Sequence, residues 1–378
     1  MKNTNDTIKN KALKTSIFNL QPLTSEEKNQ YHRHLILDQI GMEGQLKLKQ
    51  TKVLVIGAGG LGCPVLQYLT AAGVGTIGII DGDKVDQSNL QRQILYTTDD
   101  VGHFKAASAA SRLSKLNPFV KFEVFNIFLS TENAIDLFNQ FDIIVDGTDN
   151  FPTRYLVNDA CVLANKPLVF GSIFKFQGQV SVFNYKGSGT YRCLFPTPPA
   201  PNSVPNCSDV GVLGVLPGII GSLQANETIK LIVGIGTPLV DKLLYFDALS
   251  LQQQVLQFQK NNDIKVTTLE SNYEFFCGVS NTNDMNTISA EAYLKNKENY
   301  HLLDVRTYHE YEDENIGGQH IPLDELDDRM GEIPNSKILV VMCLSGKRSA
   351  AAIELLLENN YPKTLLNLDG GITAVLKN

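Results

Sequence analysis

The sequence predicts an α/β chain, in which a doubly wound, mostly parallel sheet is followed by a second, smaller α/β unit. Three observations carry this. From residue 52 onward, short continuous apolar runs alternate with helical stretches, the pattern of strands covered on both faces by crossover helices. The alternation lapses over a polar stretch at 260–285 and resumes near Thr287. The charge is also uneven. Residues 286–378 hold 9 Lys and Arg against 15 Asp and Glu, and the rest of the chain 24 against 25, as expected of two units with separate surfaces.

Taken in order, residues 1–25 are polar and read as a flexible arm, without the apolar core of a signal segment. KVLVIG (52–57) is the first buried strand, AGGLGCPVLQYLTAAG the helix after it, and TIGIID (76–81) the second strand. KFEVFN (121–126) and FDIIVDG (141–147) repeat the strand signal, with helical character over 103–116 and 131–140. PLVFGSI (167–173) and GQVSVFN (178–184) are further strands. YRCLFPTPPAPNSVPNC (191–207) has five prolines and reads as a loop. GVLGVLPGIIGSLQANETIKLIVG (211–234) reads as a buried helix and KLLYFDALSLQQQVLQF (242–258) as a closing hairpin. This bounds a first domain at 26–259, a linker at 260–285 and a second domain at 286–378. In the second domain HLLDVR (301–306), KILVVMC (337–343) and TLLNLDGG (364–371) are strands, and Ser289–Lys295 and Arg348–Asn359 are helices.

Composition narrows the function. The 378 residues are 43% hydrophobic and 19% charged, with a net charge of −7. That suits packed cores and gives no basic excess for nucleic acid or an anionic membrane. No apolar run approaches the roughly 20 residues of a membrane span, and the expected address is the cytoplasm. Six cysteines, Cys63, Cys161, Cys193, Cys207, Cys277 and Cys343, are too sparse for a disulfide scaffold.

Gly57-Ala-Gly59-Gly60-Leu61-Gly62 follows a strand and opens a helix. Glycines there allow a tight turn and close approach to a phosphate, which the helix N-terminus attracts. Asp81 ends the next strand, where a carboxylate reaches ribose hydroxyls. Alone, this Rossmann-like pattern favours an NAD-dependent oxidoreductase. The residues that follow point elsewhere. Asn89, Arg92 and Gln93 in SNLQRQ, Lys105 in VGHFKA and Asp149 in DGTDN would converge on the carboxyl edge of one sheet. Hydride transfer does not need so much positive charge. A triphosphate with Mg²⁺ does, because charge moves as pyrophosphate leaves.

These residues, with the Asp81–Asp83 pair, TDN at 148–150 and the stretch 211–227, resemble the E1-like adenylyltransferases over about 26–258. YHRHLIL (31–37) is similar to an upstream Arg segment of that family; it keeps Arg33 but has Gln30 and His34 where Arg and Gln are usual. The resemblance implies that Gly57, Gly59, Gly60 and Gly62 line the phosphates of ATP. Asp81 lies at the ribose, Asn89, Arg92 and Lys105 hold the triphosphate, and Asp83 and Gln93 belong to the same nucleotide-binding set. Asp149 binds Mg²⁺, and Arg33 reaches the neighbouring subunit of a homodimer. Many relatives bind one zinc through two C-x-x-C pairs. Here the pairs read Thr190-Tyr-Arg-Cys193 and Glu274-Phe-Phe-Cys277, and with half the thiolates missing no zinc is expected. Cys207, in PNCSDVG, sits where some relatives link covalently to the carrier; an inert thiol is the equal alternative.

In the second domain, Cys343-Leu-Ser345-Gly346-Lys-Arg348 lies between a strand and a helix. Successive N–H groups at a helix start, with Arg348 beside them, favour a thiolate, the nucleophilic form. With LLDVR, GGQHIPL and LDGGITAV, the segment resembles a rhodanese domain, although the usual Trp near the final glycine pair is missing.

Together the resemblances imply adenylation of the C-terminal glycine of a ubiquitin-like sulfur carrier. A persulfide on Cys343, loaded by a cysteine desulfurase, then yields a thiocarboxylate. Molybdopterin, thiamine and tRNA-thiolation carriers all fit. An oxidoreductase with an accessory domain and a non-catalytic binder of a ubiquitin-like protein stay open at this point.

Overall fold

A computed structural model describes residues 22–199, 211–277, 286–334, 337–359, 361–362 and 364–376. The chain divides into two compact units, the first reaching Cys277 and the second beginning at Gly278.

The first unit opens with helices α1 (Ser25–Gln30), α2 (His32–Leu35) and α3 (Gly41–Gln50), then β1 (Lys52–Ile56), α4 (Gly62–Ala72) and β2 (Thr76–Ile80). After these come α5 (Lys105–Leu116), β3 (Lys121–Phe125), α6 (Ala134–Asn139), β4 (Ile143–Asp146) and α7 (Phe151–Leu163). Next are β5 (Leu168–Phe174), β6 (Gln177–Phe183), α8 (Tyr191–Leu194), α9 (Leu216–Val233), β7 (Lys242–Asp247), β8 (Gln253–Gln257) and α10 (Tyr273–Phe276). The strands form one sheet in the order β3-β2-β1-β4-β5-β6-β7-β8. The first five pair in parallel and the last three antiparallel.

The apolar strand runs explain this placement. Val53 and Val55 of β1 enter one core and Leu54 and Ile56 the other, so the strand is covered on both faces. The strand order reverses between β1 and β4, and at such a switch point the crossovers part and leave a crevice at the carboxyl ends.

The segment read as a linker from 260 departs from that reading over 260–277. Tyr273 and Cys277 are buried in the core beneath α7, and the Tyr273 hydroxyl donates to Asp159 Oδ2 at 2.7 Å. A buried aromatic anchor outweighs the polar composition around it.

The second unit comprises β9 (Thr287–Ile288), α11 (Ala290–Lys295), β10 (Tyr300–Asp304), α12 (Tyr308–Asp313), β11 (Gln319–His320), α13 (Leu326–Arg329), β12 (Ile338–Met342), α14 (Lys347–Glu358), β13 (Leu365–Leu368) and α15 (Gly371–Leu376). Its sheet is parallel throughout, ordered β11-β10-β12-β13-β9. Leu339, Val341 and Leu356 fill one face, and Val340, Met342 and Ile372 the other. Cys343 follows the central strand β12 directly.

Candidate functional sites

The crevice of the first unit is lined by Gly57, Gly59, Gly60, Asp81, Asp83, Asn89, Arg92, Gln93, Lys105 and Asp149. Ten of the predicted residues, drawn from five segments of chain, therefore share one wall system. Gly57 adopts φ +87°, and a Cβ on Gly62 would stand 1.9 Å from the Gly57 carbonyl oxygen. Gly62 thus lies beneath the turn as a packing residue and is absent from the cleft lining. Its role is to let α4 start hard against β1, which brings the helix N-terminus to the cleft.

Asp81 ties the turn together. One oxygen accepts the Ala58 N–H at 2.8 Å and the other the Asp83 N–H at 2.8 Å. Burial pushes its carboxyl upward against the pull of Lys105. Each oxygen keeps a second lone pair for a ligand hydroxyl. Lys105 opens α5, and its buried ammonium donates to Asp83 at 2.9 Å. SNLQRQ forms a reciprocally capped turn in which Asp86 accepts from the Ser88 N–H and Asn89 Oδ1 accepts from the Asp86 N–H. The turn aims Asn89 and Arg92 inward, with Arg92 Nη1 donating to the Ser88 carbonyl at 3.2 Å. Opposite, Asp149 is exposed at the mouth, just ahead of α7, whose N-cap Asn150 accepts from the Thr153 N–H at 2.9 Å. Among the described residues, the cleft therefore sets two cations, Arg92 and Lys105, beside the bonded carboxylates Asp81 and Asp83 and the exposed carboxylate of Asp149.

Sequence reasoning missed two parts of this site. Ile127, Phe128 and Leu129 form an apolar wall, and Phe128 is 68% exposed beside it, an unusual position for a bare aromatic ring and a fit for a flat heterocycle. Asp146, at the end of β4, is fully buried. One of its oxygens accepts from the Thr148 N–H (2.9 Å) and hydroxyl (2.7 Å), and the other has no partner among the described residues. Burial pushes its carboxyl up. Gln224 of α9 donates to the Asp146 carbonyl at 2.6 Å, so the turn carrying Asp149 is braced from below. The first Asp of DGTDN, ending an apolar strand, was the available signal.

Arg33 is exposed on α2 and is not among the cleft-lining residues. Cys207 lies outside the described residues. At the positions of the two incomplete cysteine pairs, Cys193 Sγ accepts N–H groups from Thr190 (3.3 Å) and Asn261 (3.4 Å). The buried Cys277 thiol is pushed up to about 11. Among the described residues no group of three or more His, Cys, Asp or Glu is arranged to hold a metal. A different brace occupies this region. Arg192 donates to both Asp159 oxygens at 2.7 Å, and its guanidinium lies over the Tyr155 and Phe276 rings at 5.1 and 4.6 Å.

In the second unit Cys343 is buried, and its sulfur accepts the Gly346 N–H at 3.2 Å. Gly346 has φ +96°, a turn that only glycine makes cheaply. Ser345 is exposed on the loop. Arg348, read as lending its charge to the sulfur, instead donates to both oxygens of Glu310 at 2.7 and 2.5 Å. A carboxylate within reach is the stronger acceptor, and the sulfur is held by Gly346 and Ser349.

With this geometry in place, comparison with known proteins is informative. Residues 31–266 match the ThiF family, and residues 289–378 match the rhodanese-like domain. A sulfur carrier protein adenylyltransferase of Thermus thermophilus is 51% identical over 267 residues, 68% of this chain and 98% of that protein. A probable adenylyltransferase/sulfurtransferase MoeZ of Mycobacterium tuberculosis is 43% identical over 370 residues, 94% of both chains. The crystal structure of Escherichia coli MccB with ATP superposes with a TM-score of 0.55 at 25% identity, covering 64% of this chain and 75% of that one.

Proposed function

The chain belongs to the ThiF family and ends in a rhodanese-like domain, and from that premise we propose how its residues run an adenylyltransferase/sulfurtransferase reaction on a ubiquitin-like sulfur carrier. Neither a hydride-transfer enzyme nor a passive binder accords with that membership. One observation carries the reading, namely that the glycine turn, Asp81, Arg92, Lys105 and Asp149 meet in one cleft at the sheet's switch point.

The carboxylate of the carrier's C-terminal glycine attacks the α-phosphorus of ATP, and pyrophosphate leaves. The Gly57–Gly60 turn and the N-terminus of α4 receive the phosphates. Arg92, Lys105 and Asn89 meet the charge that builds on the leaving group. Asp81 takes the ribose, and Phe128 backs the base. Mg²⁺ fits a site with one exposed carboxylate, because it keeps several waters and phosphate oxygens as ligands; Asp149 would hold it, and the ion would supply charge neutralisation. Arg33 completes the phosphate site of a partner subunit in a homodimer, and the carrier presents its tail to this cleft in the cytoplasm.

In the second unit Cys343 takes sulfur as a persulfide from a cysteine desulfurase. The terminal sulfur attacks the acyl carbon of the adenylate and AMP leaves. A second thiol then attacks the Cys343 sulfur of the resulting acyl disulfide, so that the thiocarboxylate leaves with the electron pair and Cys343 is left in a disulfide with that thiol. Holding both chemistries in one chain raises the effective concentration of each site for the other. The test is carrier-dependent exchange of labelled pyrophosphate into ATP. Exchange that needs a carrier with a free C-terminal glycine supports the reading, and none with any such carrier overturns it.

A further inference from the structure

Cys343, Ser349 and Asn367 are 1%, 0% and 4% exposed and come from three places: the end of β12, the first turn of α14, and β13. Ser349 Oγ lies 3.4 Å from Cys343 Sγ and 2.6 Å from Asn367 Oδ1. Asn367 Nδ2 donates to the Gly346 carbonyl at 2.9 Å, and that fixes which end of the amide faces Ser349. The Gly346 N–H closes the ring on the sulfur at 3.2 Å. A buried thiol needs no such company, and burying a hydroxyl and an amide has a cost unless both are bonded.

We propose that Ser349 is a catalytic residue of sulfur transfer and that Asn367 is its positioning residue. This rests on Cys343 being the sulfur carrier. Asn367 Oδ1 can only accept, and the single hydroxyl proton of Ser349 stands within reach of both that oxygen and the Cys343 sulfur. When the sulfur is anionic it becomes the better acceptor, and the hydroxyl turns to donate to it. The thiolate then has two donors, Gly346 N–H and Ser349 O–H, both as attacking group and as leaving group.

The step balances with a sulfane donor such as thiosulfate. The Cys343 thiolate attacks the outer sulfur, a new S–S bond forms, the donor's S–S bond breaks, and sulfite leaves with the electron pair. Cyanide then attacks the outer sulfur of the persulfide, thiocyanate leaves, and the thiolate returns. The charged groups on the elements around the loop include the Asp304–Arg306 pair closing β10, Glu310 of α12 with Arg348 of α14, His320 of β11, and Asp369 after β13, beside His301 on β10, His309, Glu312 and Asp313 on α12 and Lys347, Glu354 and Glu358 on α14. All are common to parent and variants, so a difference in pH response between them reports the hydroxyl.

The experiment uses the full chain with thiosulfate and cyanide, reading thiocyanate, together with mass spectrometry of Cys343 alkylation by iodoacetamide. Ser349→Ala should lower kcat about tenfold at pH 7 with KM for thiosulfate little changed. Cys343 alkylation should fall in parallel, and the deficit should close as the pH is raised. Ser349→Thr, which keeps a hydroxyl, should restore most of the rate even if the alanine variant folds poorly. The Ser349→Ala/Asn367→Ala double variant should fall no further than Ser349→Ala, because the two act as one unit. A parental kcat in Ser349→Ala, or the same fractional loss at every pH, overturns the proposal, and additive losses in the double variant remove Asn367 from it. Cys343→Ala separates the two readings: if it still forms thiocyanate at the parental rate, the assignment of Cys343 fails first.

Discussion

The ammonium of Lys105 stands 2.9 Å from the Asp83 carboxylate, with the lysine side chain 9% exposed and the aspartate 56% exposed. A buried cation on the cleft wall is thus held by a solvated anion. A half-solvated pair is worth at most about 1 kcal/mol, which a triphosphate overcomes readily. Lys105→Gln is therefore expected to raise the KM for ATP about tenfold or more, whereas Asp83→Asn stays within a few-fold of the parent. Pyrophosphate exchange at varied ATP measures both. Equal losses in the two variants would mean that the Asp83 carboxylate itself acts on the nucleotide.

Asp149 is the exposed carboxylate at the cleft mouth, held on a turn that Thr148, Asp146 and Gln224 brace. Replacing it with alanine leaves that brace intact. Asp149→Ala is expected to melt as the parent does and to lose carrier-dependent exchange by two orders of magnitude or more, roughly the effect of removing one transition-state charge contact. Parental exchange in a folded Asp149→Ala protein contradicts its placement in the nucleotide site.

Most of the cleft was legible because its residues sit in patterns that local physics dictates. A glycine turn between an apolar strand and a helix, and polar residues just past strand ends, report their own positions. What stayed hidden depends on contacts distant in sequence. Tyr273 meets Asp159 across 114 residues, so the polar stretch from 260 looked like a tether. Asp146 resembled an ordinary strand end until Gln224, 78 residues away, was seen beneath it. Arg348 was read beside the sulfur because it is near in sequence, while its carboxylate partner Glu310 comes from another helix, 38 residues back. Phe128 had no pattern at all, since one aromatic residue in a loop carries no period.

The brace of Arg192, Asp159 and Tyr273 ties together the region of Cys193 and Cys277. Asp159 is 1% and Arg192 10% exposed by side chain, and breaking a buried pair by removing one partner costs about 3–5 kcal/mol. Purified protein is expected to contain little or no zinc by elemental analysis and to melt at the same temperature with and without a chelator. Asp159→Ala should lower that temperature markedly. Near one zinc per chain, or a melting temperature that falls on chelation, would show that Cys193 and Cys277 still anchor a metal.

Glu310 gives the second unit an acid-labile contact. Its hydrogen bonds from Arg348 hold its carboxyl at about 2 against an ordinary 4.5. The folded state favours the ionised form, so this stabilisation is complete above about 4.5 and is lost as the pH falls toward 2. The pair is partly solvated, and its contribution is about 1 kcal/mol. Chemical denaturation between pH 5 and 2.5, followed on the second unit's transition, should show a decline that Glu310→Gln flattens. An unchanged decline in the variant would assign the acid sensitivity to other carboxylates.

The two chemistries should separate cleanly at Cys343. Among the described residues, every group that lines the glycine-turn cleft belongs to the first unit, and Cys343 lies in the second, in a loop whose Gly346 N–H and Ser349 hydroxyl surround its sulfur. Cys63 has its thiol pushed up to about 12 by burial, and Cys161 is raised well above its usual range, so neither offers thiolate at neutral pH. Cys343→Ala is thus expected to adenylate the carrier at the parental rate and to form no thiocarboxylate from a persulfide donor. Removal of residues 286–378 should do the same, because the first unit keeps its own core through Cys277. Mass spectrometry of the carrier after incubation with ATP and a cysteine desulfurase reads both steps, as an adenylate and as a carboxylate oxygen replaced by sulfur. Free sulfide has to be excluded, because it attacks an acyl adenylate directly. Thiocarboxylate at the parental rate from Cys343→Ala would send the sulfur by another route, and a parallel loss of adenylation would tie the second unit to the first step as well.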